Sequence, residues 1–239
     1  MSWAAREMRR LVGKAIHSRD MLQEGDRVLV AVSGGKDSLS LLWLLRERLR
    51  RIPIHYDVAA VHADPGFGAD SAGKMARFFE EHAFFHRVIR GDFGPRAHGP
   101  ENRENPCFLC SRLRRKALFE AARDLDCNKI ALGHHKDDVI ETLFLNLFYG
   151  GSISTMKPVQ EFFDGRITVI RPLYLVEERL VSRYAVDMGW PDVDLGCPTA
   201  GSSKRTEVKE MLEGLYRKNR KIKGNIFHAL LNVREDYLP

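Results

Sequence analysis

The sequence predicts an α/β protein with a Rossmann-like parallel sheet of about five strands and helices on both faces. One observation is the stretch 28–42, where a β-branched apolar run meets Gly34 and Gly35 and continues as a leucine-rich helical pattern. This order indicates a strand, a tight turn and a helix start. The other observation is that four later apolar runs, each typical of a strand, alternate with helical patterns along the chain. These runs cover residues 56–62, 86–90, 128–132 and 167–173.

The predicted helices fit between these strands. Met8, Val12 and Ile16 recur every four residues, which predicts an amphipathic helix within residues 1–24. The pattern at 39–45 is apolar nearly all round and predicts a helix buried against the sheet. Further helical patterns lie at residues 74–82, from the cysteine pair through residue 122, and at 177–188.

Composition limits the class of protein. The 239 residues are 44% hydrophobic and 29% charged, as in a globular chain with a full core. The formal net charge of +6 permits a polyanionic partner. No apolar run has the length of a membrane span and the N-terminus lacks a signal-peptide centre, so we expect a cytoplasmic protein with no membrane partner. In that reducing compartment, the four cysteines are better explained as ligands or catalysts than as disulfides.

The turn at residues 33–38, called the phosphate loop below, is predicted to bind phosphate. Its glycines allow consecutive N–H groups to be exposed at the start of a helix, beside two serine hydroxyls. A Walker A loop would need glycine at position 30 and Ser or Thr at position 37, where this chain has Val30 and Asp37. A carboxylate beside phosphates requires a bridging Mg²⁺, so Asp37 favours a metal-bound triphosphate or pyrophosphate. The alternative is an ordinary turn between strand and helix.

His62 and Ala63 end the second predicted strand. Ligands of doubly wound sheets lie at the carboxyl ends of strands, so these residues are expected to face the same crevice as the phosphate loop. A purely structural histidine is an equally good explanation of His62.

Cys107 and Cys110 follow an irregular stretch at 91–105 and begin a helix. Two cysteines three residues apart at a helix start can bind one metal or cluster, and zinc or a redox dithiol can use the same pair. The basic residues next to them favour contact with a phosphate backbone. These are Arg112, Arg114, Arg115 and Lys116.

The stretch 133–151 follows a buried strand and starts with Gly133, His134, His135 and Lys136. Asp137 and Asp138 come next and can bring Mg²⁺ to the phosphates, while His134 or Lys136 can offset negative charge. The alternative is an acidic helix cap with two incidental histidines. After the last strand, Arg171 can close over the nucleotide or the leaving pyrophosphate, although a structural arginine also fits this position.

The C-terminal part is basic. Residues 204–223 contain eight Lys or Arg against three Glu, which favours a nucleic-acid contact over a solvated helix. The residues expected to carry that contact are Arg217, Lys218, Arg220 and Lys221.

We divide the chain into an N-terminal helix (1–24), an ATP-binding domain with the cysteines (25–200) and a basic helical extension (201–239). Cys197 lies in an irregular segment at 192–203, whereas Cys127 enters an apolar strand and is expected to be buried and inert.

Four blocks together carry a resemblance to a known family: the phosphate loop, the cysteine pair with Ser-Arg-Leu-Arg-Arg, the stretch 131–151, and Ile-Arg-Pro-Leu at 170–173. In this order they resemble the tRNA 2-thiocytidine synthetase (TtcA) group of PP-loop proteins, whose fold is adenine nucleotide alpha hydrolase-like. The resemblance implies an ATP site with the adenosine near His62 and Ala63. Its residues would be Ala31, Val32, Ser33, Gly34, Gly35, Asp37, Ser38, His62, Ala63, Gly133, His134, Asp138 and Arg171.

Members of this group use ATP and Mg²⁺ to adenylate O2 of a cytidine in the tRNA anticodon loop, after which sulfur displaces AMP. Lys36, Asp37 and Asp137 would be the catalytic residues here. The group carries a [4Fe–4S] cluster on three cysteines, which would be Cys107, Cys110 and Cys197. The chain departs from the group at Ala200, where a second Cys-x-x-Cys would place its last cysteine.

The expected partners are tRNA and a sulfur donor, either a cysteine desulfurase or free sulfide, and a homodimer stays open. Because Ala200 differs from the cysteine of the group, thiolation of another base and desulfuration of a base are alternatives to thiolation of cytidine. A PP-loop enzyme that uses an amine, as tRNA-lysidine synthetase does, would not need Cys107 and Cys110. A third alternative is a non-catalytic protein that binds a nucleotide or a structural cluster.

Overall fold

The computed structural model describes residues 2–68, 70–191, 193–201 and 203–237. Its chain forms two compact units, one from residues 1–135 and 157–198 and the other from 136–156 and 199–239. These differ from the predicted boundaries at 25 and 201, because the N-terminal helix packs within the first unit and the helix after residue 135 packs with the C-terminal helices. Positions 192 and 202 of the predicted irregular segment lie outside the described residues.

The first unit contains a six-stranded sheet, which confirms the α/β prediction. Its strands are β1 (Arg27–Ala31), β2 (Asp57–Asp64), β3 (His86–Arg90), β4 (Lys129–Ala131), β5 (Val159–Phe162) and β6 (Ile167–Ile170). The order across the sheet is β3-β2-β1-β4-β6-β5. All neighbours are parallel except β5 and β6, which form an antiparallel hairpin. The sequence analysis missed β5, an edge strand without a continuous apolar run, and extended β6 past its end at Ile170.

β1 occupies the centre because its middle residues are apolar on both faces. Val28, Leu29 and Val30 are completely buried. The chain runs from β1 to β2 and β3 on one side, and later places β4 on the other side of β1. This change of direction opens a crevice at the carboxyl end of β1, where parallel sheets of this kind bind ligands.

The described residues of the first unit form six helices: α1 (Trp3–Ser18), α2 (Lys36–Arg48), α3 (Ser71–Glu81), α4 (Phe93–His98), α5 (Pro106–Asp124) and α7 (Glu178–Met188). α7 packs against both α1 and α2, whereas α5 packs against β2 and β4. The short helix α4 lies in a stretch predicted to be irregular; it is held by the N–H of Gly94, which donates to the Pro65 carbonyl (2.7 Å). Its six residues are too few to show helical periodicity in the sequence.

The second unit is helical, with α6 (Lys136–Tyr149), α8 (Lys204–Lys218), α9 (Lys221–Ala229) and a short 3-10 helix (Glu235–Tyr237). Its core consists of Ile140, Val208 and Leu212, with aromatic residues of α6 and α9 packed around them. No helix in the described part of the chain is long and apolar enough to cross a membrane.

Asn128 joins the starts of β1 and β4. Its side-chain carbonyl accepts from the N–H of Arg27 (2.8 Å), and its amide donates to the buried carboxylate of Asp26 (2.7 Å). The same carboxylate accepts from the N–H of Gln23 (2.7 Å). One polar side chain thus links the two central strands where their backbone ladder begins.

Replacing Asn128 by Ala should lower the free energy of unfolding by about 1–3 kcal/mol, because the buried carboxylate and the Arg27 N–H lose a partner. Urea unfolding measures this change. The control is Asp57→Ala, since Asp57 is highly exposed and only meets Arg27 at 4.0 Å, and it should cost less than about 0.5 kcal/mol. Equal effects of the two substitutions would contradict the assignment.

Candidate functional site

The phosphate loop connects the carboxyl end of β1 to α2 and is closed by its own hydroxyls. The N–H of Ser33 donates to Ser38 Oγ (3.1 Å), and the Ser38 hydroxyl donates to the Gly35 carbonyl (2.9 Å). The N–H of Gly35 donates to Ser33 Oγ (3.3 Å). Gly35 is the N-cap of α2, so the first N–H groups of that helix lie at this turn. The result is a preformed helix start suited to an anion.

Two glycines allow backbone segments to approach closely around this loop. Gly34 has φ +92°, and a Cβ there would lie 2.8 Å from the Cβ of Val193. A Cβ on Gly133 would lie 3.1 Å from the backbone nitrogen of Ser38. The turn after β4 therefore contacts the phosphate loop.

Lys36 lies between two carboxylates. Its Nζ is 3.2 Å from Asp37 Oδ1 and 3.3 Å from Glu178 Oε1. Burial disfavours the charged amine, but the two carboxylates outweigh this and raise the pKa of Lys36, so it is a cation at neutral pH. The sequence analysis missed Glu178, the first residue of α7, because no local motif marks it.

Arg171 holds His134 in one tautomer. Its Nε donates to His134 Nδ1 (3.3 Å), and its Nη1 donates to the Lys157 carbonyl (2.5 Å). Burial, with the nearby charge of Arg115, lowers the pKa of Arg171 to about 10, which leaves it charged at neutral pH. Because Nδ1 of His134 accepts this bond, the ring proton of the neutral imidazole is on Nε2, where it can donate.

His62 is completely buried and makes structural contacts. Its Nδ1 donates to the carbonyl of Val32 (2.7 Å), and its Nε2 lies 3.3 Å from Ser71 Oγ. Burial lowers the pKa of His62, so the ring is neutral at pH 7. The side chain ties β2 to the segment before the phosphate loop and to α3, which gives the structural alternative a physical basis. Ala63 is buried beside it.

The acidic start of α6 is paired within the second unit. Lys223 of α9 contacts Asp137 (2.5 Å), and Arg205 of α8 contacts Asp138 (2.8 Å). Arg205 also lies 3.6 Å from Glu141. The sequence analysis placed Lys223 and Arg205 in a basic run, but no local pattern indicated that they pair with Asp137 and Asp138. Burial raises the pKa of Glu141 to about 7, which Arg205 opposes and Asp138 reinforces.

Three cysteines share one neighbourhood in the first unit. Asn105 caps α5 by accepting from the N–H of Cys107 (3.0 Å). Burial raises the pKa of the Cys110 thiol; Arg114 opposes this shift, and the charges of Cys197 and Cys107 add to it. Among the residues described, no three His, Cys, Asp or Glu side chains are arranged to hold a metal ion, so the ligand set stays a prediction. Cys127 is buried, as predicted.

The basic residues of α5 do not form one surface. Arg112, Arg115 and Lys116 are exposed. Arg114 is half-buried, with a buried Nε that has no hydrogen-bond partner among the described residues. Its charge acts on both His62 and Cys110, so it lies inside the unit near the cysteines. This position differs from the surface position expected of an RNA contact.

The C-terminal basic residues are exposed. They are Arg217, Lys218, Arg220 and Lys221. Arg217 and Arg220 line a cavity of about 450 Å³ together with Glu213 and Tyr216. A ring between cations is a common feature of nucleic-acid contacts, and the role of these residues in binding RNA stays a prediction.

Residues 4–191 match the model of the PP-loop domain. The chain is similar to the tRNA-cytidine(32) 2-sulfurtransferase of Syntrophotalea carbinolica, with 40% identity over 98% of this chain and 91% of the relative. It is 39% identical to the protein of the same name from Geobacter metallireducens, over 98% and 92% of the two chains.

One solved structure extends the comparison. This is the U34-tRNA thiolase NcsA from Methanococcus maripaludis with its [4Fe-4S] cluster, at 25% identity and a TM-score of 0.78. The similarity covers 97% of this chain and 81% of that one. The shared architecture therefore includes nearly the whole chain.

The raised pKa of Glu141 predicts a pH effect on stability. The folded chain keeps a proton on Glu141 up to about pH 7, whereas an unfolded chain releases it near the ordinary value of 4.5. The contribution of this group to the free energy of unfolding should fall as pH rises through that window and stay constant above it. Glu141→Gln should remove this fall in urea unfolding measured from pH 4.5 to 8.

The control is Glu210→Gln, at an exposed position of α8, which should keep the wild-type pH dependence. An unchanged pH dependence in Glu141→Gln would show that this carboxyl does not carry the effect.

Proposed function

The chain belongs to the PP-loop family, and we propose that it is an ATP-dependent tRNA sulfurtransferase that replaces O2 of a cytidine with sulfur. The observation that carries this proposal is the similarity to tRNA-cytidine(32) 2-sulfurtransferases over nearly the full length. The preformed phosphate loop and the neighbouring cysteines in one unit support it.

The reaction needs two steps. The cytidine O2 attacks the α-phosphate of ATP, and the bond to the β-phosphate breaks to release pyrophosphate. A sulfur nucleophile then attacks C2, and AMP leaves with the former O2. Activation is required because a pyrimidine carbonyl oxygen is otherwise a poor leaving group.

The residues around the phosphate loop have separate roles in this scheme. Lys36, held as a cation by its two carboxylates, would stabilise charge on the leaving pyrophosphate. His134 would donate from Nε2 to a phosphate oxygen, with Arg171 fixing its orientation. Asp37 would bind the Mg²⁺ that accompanies ATP.

Asp137 and Asp138 are the further acids proposed to serve the metal-bound phosphates. Both have a cationic partner in this structure, Lys223 and Arg205 respectively. A carboxylate that bound Mg²⁺ would release its cationic partner or share it with the metal. The cation released in this way would become available to another anion.

The cysteine donors fit a cluster. Cys107 and Cys110 at the start of α5, with Cys197 near them, are soft ligands, and Arg114 would stabilise the Cys110 thiolate. A [4Fe–4S] cluster on these three ligands would supply the sulfur of the second step. The donor of that sulfur would be a cysteine desulfurase or free sulfide, and a homodimer is the proposed assembly.

Thiolation of a uridine is the second candidate, favoured by the similarity to a U34-tRNA thiolase. Mass spectrometry of nucleosides from tRNA treated with the protein, ATP and sulfide distinguishes the two. We expect 2-thiocytidine, and 2-thiouridine as the only product would replace the first candidate by the second. Release of AMP without any thiolated nucleoside would contradict both.

Replacing Asp37 by Ala should lower ATP-dependent pyrophosphate release at least about 100-fold, because the Mg²⁺–ATP complex loses a ligand. Release is measured by a coupled phosphate assay with tRNA and sulfide present. Asp57→Asn serves as control at an exposed position at the start of β2 and should keep the wild-type rate. A normal rate in Asp37→Ala would remove this residue from the mechanism.

Substitution of any one of Cys107, Cys110 and Cys197 by Ala should abolish bound [4Fe–4S], whereas Cys127→Ala should retain it. Iron, sulfide and zinc per chain are measured after anaerobic preparation. Full cluster content in Cys197→Ala would exclude that cysteine as a ligand. Stoichiometric zinc without sulfide in the wild type would exclude the cluster itself.

A further inference from the structure

A second cavity lies at the edge of the sheet opposite the phosphate loop. It has a volume of about 770 Å³, within the usual range of about 300–1,000 Å³ for ligand sites. Asn128, just before β4, and Ile167, at the start of β6, line it. Because β1, β4 and β6 are parallel, these strand starts lie at the edge away from Ser33.

Basic residues outnumber acidic ones four to two in the lining of this cavity, which also contains apolar residues. Arg115, Lys116 and Arg123 come from the second half of α5, and Arg166 comes from the β5–β6 turn. The two acidic lining residues have cationic partners: Glu120 contacts Lys116 (3.7 Å), and Asp126 contacts Arg27 (3.6 Å). Arg115 and Arg166 have no carboxylate partner in the part of the chain that the structure describes. An anion would therefore be attracted to this edge.

Phe163, an aromatic residue that lines the cavity, has an unfavourable backbone conformation. Phe163 has φ +55° in the turn between β5 and β6, where Asn, Asp or Gly would be preferred. Its ring meets the Phe119 ring edge-on, with centroids 5.1 Å apart, yet 57% of the residue remains exposed. A large apolar residue that is both strained and exposed indicates a binding role rather than a stabilising one.

We propose that this cavity is an RNA subsite, in which one base of the substrate stacks on Phe163 while adjacent phosphates contact Arg115 and Arg166. Aromatic rings between arginines are the usual means by which proteins bind unpaired nucleotides. The proposal rests on the function proposed above, because it assigns a part of the tRNA substrate to a surface. It adds a site outside the nucleotide crevice.

The geometry of α5 fits one RNA molecule that contacts both regions. The cysteines lie at its start, and Arg123 lies 13 residues after Cys110, a rise of about 20 Å. The reacting nucleotide would lie at the cysteine end, and a neighbouring single-stranded segment would lie at the cavity.

The test compares Phe163→Ala with Phe163→Tyr. Loss of stacking should weaken tRNA binding about 10- to 100-fold in Phe163→Ala and raise KM for tRNA, with kcat unchanged at saturating tRNA. Phe163→Tyr keeps a ring and should stay within about twofold of the wild type. Phe85→Ala, which removes a similarly exposed ring before β3 (64% exposed), should also leave tRNA binding unchanged.

Arg166→Ala should weaken tRNA binding and reduce the slope of log Kd against log salt concentration by the amount that one phosphate contact contributes. Arg50→Ala, at an exposed position after α2, should change neither the affinity nor the slope. If the wild type thiolates tRNA but Phe163→Ala binds it normally, the RNA subsite is excluded while the function stands. If Phe163→Ala instead slows only sulfur transfer from a donor protein, the cavity binds that protein and the RNA subsite is again excluded. Failure of the wild type to bind tRNA contradicts the proposed function itself.

Discussion

The first unit depends on the close approach of two backbone turns, one after β1 and one after β4. Gly133 lies so near Ser38 that a side chain would press on the backbone, and Gly34 turns with a positive φ beside Val193. Parallel pairing of β1 with β4 brings both turns to the same edge of the sheet. The helix start of α2 and the His134–Arg171 pair therefore lie at the same edge of the sheet.

Charge pairing is the second organising feature. Lys36 is shared by Asp37 and Glu178 in the first unit, while Lys223 and Arg205 neutralise the acids of α6 in the second. These pairs keep partly buried charges compensated in the free protein. In the proposed reaction, phosphate and Mg²⁺ would offer new partners to the cations and to the acids, so binding would exchange ion pairs rather than create charges in isolation.

Helix α5 combines three environments along its length. Its first turn presents Cys107 and Cys110, its middle directs Arg114 inward toward Cys110 and His62, and its second half borders the basic cavity with Arg115 and Arg123. A helix places residues of one short segment on different faces. Adjacent arginines in the sequence consequently have different roles in the structure.

The sequence alone determined the five parallel strands, the glycine turn, the cysteine pair at a helix start and the buried Cys127, since each depends on local residue pattern and short-range backbone preference. Only the tertiary structure decided the edge strand β5, the pairing of Lys36 with Glu178, the structural contacts of His62 and the inward position of Arg114. It also decided that α6 groups with the C-terminal helices. These features arise from contacts between residues distant along the chain, which local pattern cannot specify.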